Sequence, residues 1–223
     1  NGHNLKFKTS LNYDKTNTRD YTWQPAFYLG NFFSRNIAEL NDDSRTFTNA
    51  SIENTLDYQT EIGKHSIEAL LGQSYRYGSS IFRGSNAEGF TLPYYPVINN
   101  GQNRSSTGSE FENALSSYFG RVNYSYDDKY LLSASLRRDG SSRFAPANKF
   151  GYFPAASVGW KISNEKFWKV SPSIVSDLKF RASFGKLGNQ EIADYQFQGT
   201  INTGVVYTFN GIRSIGGLQT LIS

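Results

Sequence analysis

Apolar and polar residues alternate along this chain with a period of two, and this pattern constrains the fold more than any other feature. Side chains of a β-strand point alternately to its two faces, so the alternation predicts strands with one apolar and one polar face. Seven segments show it: 5–13, 50–58, 67–77, 118–126, 130–137, 156–162 and 178–185. Helical periodicity is almost absent, apart from a predicted single turn over 164–168 that Asn164 caps.

The connections between the seven predicted strands differ in length. Tight turns at Glu61–His65 and Asp127–Lys129 join the second strand to the third and the fourth to the fifth. We predict long loops over the glycine-, serine- and asparagine-rich stretches 14–45, 78–112, 139–152 and 186–223. Short turns at one end of a sheet and long loops at the other are typical of outer-membrane β-barrels.

The two faces of the predicted sheet differ in chemistry. On the apolar face aromatic residues lie near the strand ends, such as Tyr118 and Tyr126 on the fourth strand and Phe153 and Trp160 on the sixth. This pattern predicts two aromatic girdles at membrane interfaces. The opposite face carries many charged side chains: Glu53, Asp57, Glu68, Arg76, Arg121, Arg137, Lys179 and Arg181. So many charges favour a water-filled or plugged lumen.

A second interpretation belongs to a different class of protein. A soluble antiparallel β-sandwich also alternates apolar and polar residues, and its aromatic loops could form a carbohydrate-binding module. In that case the apolar faces of two sheets must pack on each other to form a core. Periodicity alone does not separate the two interpretations.

Composition narrows the chemistry. The chain has no Cys, which excludes disulfides, thiolate metal sites and a Cys nucleophile. Its net charge of +4 is spread along the sequence, without the basic stripe that nucleic-acid binding requires. The two histidines, His3 and His65, lack metal-ligand spacing. With no catalytic signature present, we expect no enzyme activity, no catalytic residue, no metal site and no cofactor.

Several segments resemble the barrel of the SusC/RagA-type TonB-linked outer-membrane transporters of Bacteroidota. The resemblance covers most of residues 50–200 and depends on the order and spacing of its segments: HSIEALLGQ at 65–73, SYFGRVNYSY at 117–126, YLLSASLRRDGSSRF at 130–144, FP at 153–154, VGWKISNE at 158–165, LKFRASFG at 178–185 and GNQ at 188–190.

The resemblance implies an all-β fold, an antiparallel transmembrane β-barrel segment with about seven strands of a larger, roughly 22-stranded plugged barrel. We expect residues 1–223 to form one partial barrel domain without the plug domain or the TonB box. The implied location is the cell outer membrane. The implied partners are outer-membrane lipid, a SusD-like surface lipoprotein lid, TonB through N-terminal parts outside this sequence, and an oligosaccharide or peptide cargo.

Candidate site residues follow from this placement. Four cations on the charged face are candidates for facing the lumen or contacting the plug: Arg121, Arg137, Lys179 and Arg181. In the segment after the fifth strand, Asp139 and Arg143 are candidates for bracing an extracellular loop. Tyr94 and Tyr95, in the loop after the third strand, either contact cargo or lid or simply pack within the loop.

Overall fold

The computed structural model describes residues 3–92, 94–171, 173–195, 197–198, 201–209 and 212–219. These residues form strands joined by turns and short 3₁₀ turns, and no helix among them is long and apolar enough to cross a membrane. The strands are β1 His3–Gln24, β2 Phe27–Tyr28, β3 Ser34–Arg35, β4 Glu39–Ile62, β5 His65–Glu88, β6 Asn103–Tyr126, β7 Tyr130–Ser141, β8 Phe150–Lys161, β9 Lys179–Gly185, β10 Ile201–Phe209 and β11 Ile212–Gln219.

Seven strands form one antiparallel sheet in the order β1-β4-β5-β6-β7-β8-β9. Two further pairs, β2 with β3 and β10 with β11, form separate two-stranded ribbons. Each of the seven predicted segments corresponds to one strand of the sheet. The predicted fold class, an antiparallel all-β sheet, is therefore confirmed.

The first four strands of the sheet are much longer than predicted. We expected loops at 14–45 and 78–112, but β1 continues to Gln24, β4 begins at Glu39, β5 continues to Glu88 and β6 begins at Asn103. The alternation fails there because both faces of the strands are largely polar. Hydrogen-bonded side chains replace apolar ones across neighbouring strands, as where Arg19 Nε lies 2.7 Å from Asp42 Oδ1.

Three smaller predictions are also corrected. The predicted loop 139–152 is shorter, because β7 ends at Ser141 and β8 begins at Phe150, and the predicted loop 186–223 contains the β10–β11 ribbon. A 3₁₀ turn spans Ile162–Asn164, and the predicted turn follows it over Glu165–Trp168, where Trp168 N donates to the carbonyl oxygen of Glu165 at 3.0 Å. Asn164 does not cap it, because its side-chain Nδ2 donates instead to the carbonyl oxygen of Asp128, 2.9 Å away.

Both predicted tight turns are present. Gly63 has a φ of 59° at the β4–β5 turn, a conformation that glycine adopts without steric cost. At the β6–β7 turn Asp127 and Asp128 have φ values of 53° and 51°, and Asp is one of the few other residues that tolerate this region.

The chain divides into two compact units. The first contains Asn1–Leu11, Ile52–Arg76 and Ala114–Ser223, and the second contains Asn12–Ser51 and Tyr77–Asn113. The second unit has a small buried apolar core, in which Leu40, Ala87 and Ala38 are almost fully enclosed. Among the described residues of the first unit no hydrophobic side chain is buried to this degree.

In the first unit the registers of β6 to β9 place apolar residues in rows on one face of the sheet. Directly opposed residues face the same side. One end row consists of Tyr126, Tyr130, Trp160 and Phe180, and another contains Tyr118 and Tyr152. Between these two rows lie three rows of mainly small and aliphatic residues, in which Tyr124 and Phe184 are the two aromatic members. The three rows contain Gly120, Val122, Tyr124, Leu132, Ala134, Leu136, Pro154, Ala156, Val158, Ala182 and Phe184.

This arrangement corrects one sequence assignment. Phe153, expected on the apolar face with Trp160, pairs with Arg137 on the opposite face, and Tyr152 takes its place in the aromatic row. The physical reason is parity, since seven positions separate Phe153 from Trp160 and side chains alternate at every position.

The apolar face of β6 to β9 is uncovered. Leu136 is 52% exposed, Val158 51% and Phe184 77%. A β-sandwich would bury these side chains against a second sheet, and no second sheet of the described chain packs on them. In the described part of the chain, the apolar face is therefore not packed as the sandwich interpretation requires.

Candidate functional site

The second face of β6 to β9 is polar, and it carries the four cations that the sequence singled out. Arg121 lies opposite Ser135, Arg137 opposite Phe119, Arg181 opposite Gly159 and Lys179 opposite Lys161. All four therefore point to the side of the sheet away from the aromatic rows. Small residues occupy most of the remaining positions of this face: Ser117, Ser125, Ser133, Ser135, Gly151, Ala155, Ser157, Gly159, Ser183 and Gly185.

Three of these cations line one open depression of about 460 Å³. Arg121, Lys179 and Arg181 surround a floor that includes Ser133 and Ser157. The floor is low because these side chains are small, whereas the cations extend above it on long side chains. The depression therefore presents hydroxyl groups and positive charge on the same surface.

The charge of this depression is not balanced within the described part of the chain. Its one lining carboxylate, Glu68, accepts a hydrogen bond from Asn123 Nδ2 at 3.3 Å. Among the described residues, the side chains of Arg121, Lys179 and Arg181 form no hydrogen bond or ion pair. Three cations facing one carboxylate can attract anionic or polar groups.

The fourth cation, Arg137, lies in a second depression of about 450 Å³ on the same face. Its Nε donates to both carboxylate oxygens of Asp139 at 2.7 and 2.8 Å, and Nη2 donates to Ser117 Oγ at 2.8 Å. The guanidinium also lies over the ring of Phe119, 5.4 Å from its centre. Arg137 is thus held in one geometry and does not share the open cluster of the other three cations.

Sequence analysis placed Arg76 on this charged face but missed five other residues that line the second depression: Phe144, Phe153, Gly188, Asn189 and Gln190. The segment that contains Gly188 packs directly on Phe153, so that a Cβ at position 188 would overlap the ring. The Gly-Asn-Gln segment was visible in the sequence only as part of a family pattern. Its packing partner lies 35 positions earlier, and periodicity gives no signal for such a contact.

The two candidates for bracing a loop belong to separate ion pairs. Asp139 pairs with Arg137, whereas Arg143 Nε donates to Asp194 Oδ1 at 2.7 Å and Nη1 to the carbonyl oxygen of Gln190 at 3.4 Å. The Arg143 contacts connect the segment after β7 to the segment after β9. The structure therefore places Arg143 between two loops and Asp139 at the edge of the second depression.

The two candidate tyrosines lie in the second unit and are accessible. The exposed fractions of Tyr94 and Tyr95 are 80% and 58%. The backbone oxygen of Tyr95 accepts hydrogen bonds from Val97 N at 3.0 Å and Asn100 Nδ2 at 3.1 Å, which fix the main chain and leave the ring uncovered.

The short-turn end of the first unit carries a network of charged groups. Asp127 lies between Lys64 at 3.0 Å and Lys129 at 3.2 Å, and these hydrogen-bonded ammonium groups lower the pKa of its carboxyl. Glu165 accepts from the hydroxyl of Tyr130 at 2.6 Å and from Nε1 of Trp160 at 3.1 Å, and these bonds lower its pKa as well. The network connects neighbouring turns, and none of these six residues lines either depression.

Among the described residues, no group of three or more His, Asp or Glu side chains could hold a metal ion. The hydroxyl groups and cations of the first depression offer hydrogen bonds and positive charge.

Comparison with known proteins places this sheet in a family. A family model described as "TonB dependent receptor-like, beta-barrel" matches residues 1–216. TonB-dependent receptor P26 of Formosa agariphila is 40% identical over 172 residues, which cover 74% of this chain and 17% of that protein. TonB-dependent receptor P39 of the same organism is 36% identical over 220 residues, covering 95% of this chain and 20% of that protein.

Two further relatives extend the comparison. TonB-dependent receptor SusC of Bacteroides thetaiotaomicron is 32% identical over 165 residues, covering 73% of this chain and 16% of that protein. The solved structure of the RagAB peptide transporter matches with a TM-score of 0.82 and 25% identity, over 97% of this chain and 24% of the matched chain. The chain spans about a fifth of the length of the curated relatives it matches. It belongs to the TonB-dependent receptor β-barrel family, and the resemblance to its SusC/RagA type is confirmed.

Proposed function

We propose that this chain forms part of the wall of an outer-membrane receptor that imports oligosaccharides or peptides with energy from TonB. The observation that carries this proposal is the segregation of the two faces of β6 to β9. Three mainly small and aliphatic rows lie between two aromatic rows on one face, and small polar residues with cations occupy the other. Tyr118–Tyr126 spans nine residues between the aromatic rows, and a membrane β-strand needs about 9–11 residues.

The apolar face fits lipid. Its exposed Leu136, Val158 and Phe184 would otherwise stand in water. The tyrosines and Trp160 of the end rows suit the membrane interface, where one end of an aromatic side chain is apolar and the other hydrated. This supports location in the outer membrane.

The polar face fits a lumen that cargo passes. Arg121, Lys179 and Arg181 would face the lumen and contact either the plug or the carboxylate, hydroxyl and carbonyl groups of cargo. Tyr94 and Tyr95 are exposed and would be available to cargo or to a SusD-like lipoprotein lid. The name of the solved relative, a peptide transporter, supports peptide cargo, and the relationship to SusC-type receptors supports the lid.

Uptake by the intact receptor in cells tests this proposal. We expect replacement of Arg121, Lys179 and Arg181 by Gln to lower the rate of cargo uptake severalfold, with the receptor still present in the outer-membrane fraction. Lys169→Gln is a matched control, because Lys169 is exposed in the loop after β8 and lines neither depression. Deletion of TonB should abolish uptake. A receptor found outside the outer membrane would overturn the proposal.

Cargo class and lid are tested separately. Uptake of labelled peptide pools and labelled oligosaccharide pools, each competed by unlabelled pools, decides between the two cargo classes. Affinity purification of the receptor from mild detergent should bring down a surface lipoprotein in equal amount. Purification of the receptor alone would contradict the lid.

A further inference from the structure

One charged residue lies on the apolar face of β6 to β9. Arg138 pairs with Tyr118 on one side and Tyr152 on the other, so it occupies the aromatic row farther from the short turns. Every other residue of this face between the two aromatic rows is uncharged. A guanidinium in such a place has an electrostatic cost unless an anion or water accompanies it.

Aromatic rings hold this guanidinium against the sheet. Its central carbon lies 4.0 Å from the ring centre of Phe150 and 5.9 Å from that of Tyr152, both within the range of cation–π contacts. The Phe150 ring lies over Gly140, where an added Cβ would overlap it. The absence of a side chain at Gly140 therefore lets the ring lie flat beneath Arg138.

The donors of Arg138 have no acceptor in the described chain. Its Nε is buried without a hydrogen-bond partner, and no hydrogen bond or ion pair to its other nitrogens is present among the described residues. The neighbouring carboxylate, Asp139, points to the opposite face and is bound by Arg137. The stacked rings thus position the two terminal nitrogens, which are not buried, and leave them unpaired.

We propose that Arg138 binds the phosphate of a membrane-lipid headgroup. A planar guanidinium offers two parallel N–H donors that match two phosphate oxygens, and stacking on Phe150 fixes the plane of this fork. The aromatic row lies where headgroups meet the apolar band, so a lipid whose chains cover Leu136 would bring its phosphate to Arg138. This inference rests on the proposed membrane location.

The probe is phosphatidylglycerol, added to the purified full-length receptor in detergent and counted by native mass spectrometry. We expect Arg138→Gln to weaken binding of the lipid by about tenfold or more, the scale of lost hydrogen bonds to a charged group. Arg138→Lys keeps the charge without the fork, and Phe150→Leu keeps the guanidinium without the stack, so both should give intermediate loss. Arg104→Gln is the matched control, because Arg104 is an exposed arginine of β6 and should leave binding unchanged.

Two accompanying measurements show whether the proposed membrane location or only the proposed lipid site has failed. Outer-membrane fractionation of each variant reports on the proposed function, so a receptor absent from that membrane refutes both ideas. A receptor in the outer membrane whose Arg138→Gln variant binds phosphatidylglycerol as well as the unmodified receptor refutes the lipid site alone. Displacement of the lipid by an equal concentration of inorganic phosphate would also overturn it, since the site would then take the free anion.

Discussion

Arg143 and Asp194 form a short ion pair between two segments that are 51 positions apart in the sequence, with Nε 2.7 Å from Oδ1. Both side chains are largely covered, with 26% and 15% of their surface exposed. Because the pair connects the segment after β7 to the segment after β9, it restricts the described residues 186–195, none of which lies in a strand.

Loss of this pair should expose the segment after β9 to proteolysis. We expect Arg143→Gln to increase the rate of tryptic cleavage after Lys186 by about tenfold, the effect of roughly 1.4 kcal/mol. Mass spectrometry of the released peptides in the intact receptor measures this rate. Arg143→Lys preserves the charge and should show a smaller increase, while an unchanged rate in Arg143→Gln would mean that the pair contributes nothing to the order of the segment.

The register of β9 predicts alternating accessibility along that strand. Single cysteines in place of Lys179 and Arg181 should react with a water-soluble maleimide, because these positions share the polar face, and cysteines in place of Phe180 and Ala182 should not. These 223 residues contain no native Cys that would react with the maleimide. Labelling of intact cells and of detergent extracts compares the two sets. The reverse pattern would show that the strand is shifted by one residue.

Gly72 should tolerate no side chain. A Cβ there would overlap the ring of Phe119, which lies beneath the guanidinium of Arg137. We expect Gly72→Ala to displace this ring and destabilise the barrel by about 1–3 kcal/mol, as overpacking does. Heat-modifiability on denaturing gels measures the loss. Gly159→Ala is the control, because its Cβ would meet side-chain atoms of Lys179 and Leu131 at 3.3–3.4 Å without overlapping them, and an equal loss there would argue against the specific contact with Phe119.

The lowered pKa of Asp127 predicts a pH-dependent contribution to stability. The ordinary pKa of the carboxyl is 3.8, and Lys64 and Lys129 hold it below this value in the folded protein. Its stabilising contribution is therefore complete above the ordinary value and is lost as pH falls through the lowered one. Asp127→Asn should reduce the thermal midpoint at about pH 7, and this reduction should shrink as pH falls below the ordinary value and through the lowered one.

The Asp127→Asn substitution should leave the backbone conformation of the turn unchanged. Asp127 has a φ of 53°, and Asn adopts this region as readily as Asp. Glu61→Gln is the control, since Glu61 lies beside the neighbouring turn and forms no ion pair among the described residues. A difference in thermal midpoint between the unmodified receptor and the Asp127→Asn variant that does not change with pH would contradict the role of the two lysines.

The seven strands of the sheet, their order along the chain and most of their faces followed from alternation alone. Leu132, Ala134 and Leu136 repeat every second residue, and the pleat of a strand converts that repeat directly into one apolar face. The same rule placed Arg121, Arg137, Lys179 and Arg181 together on the other face. The tight turns followed as well, because Gly63 and Asp127 suit a positive φ.

The lengths of β1, β4, β5 and β6 could not be predicted from alternation. Their extensions are polar on both faces and therefore carry no hydrophobic period. There the strand depends on partners such as Asp42 for Arg19, and the choice of partner is a property of the assembled sheet. The same holds for Arg143, which could have paired with nearby Asp139 but pairs with Asp194.

The sequence by itself therefore determined the β architecture, the chemistry of each face and the family, since these depend on residue type and on spacing along one strand. Only the tertiary structure decided which charges meet, where Phe153 and Tyr152 point, and that Arg138 stacks on Phe150 without an acceptor. Those features depend on which residues of separate strands come into register, and neither periodicity nor composition contains that information.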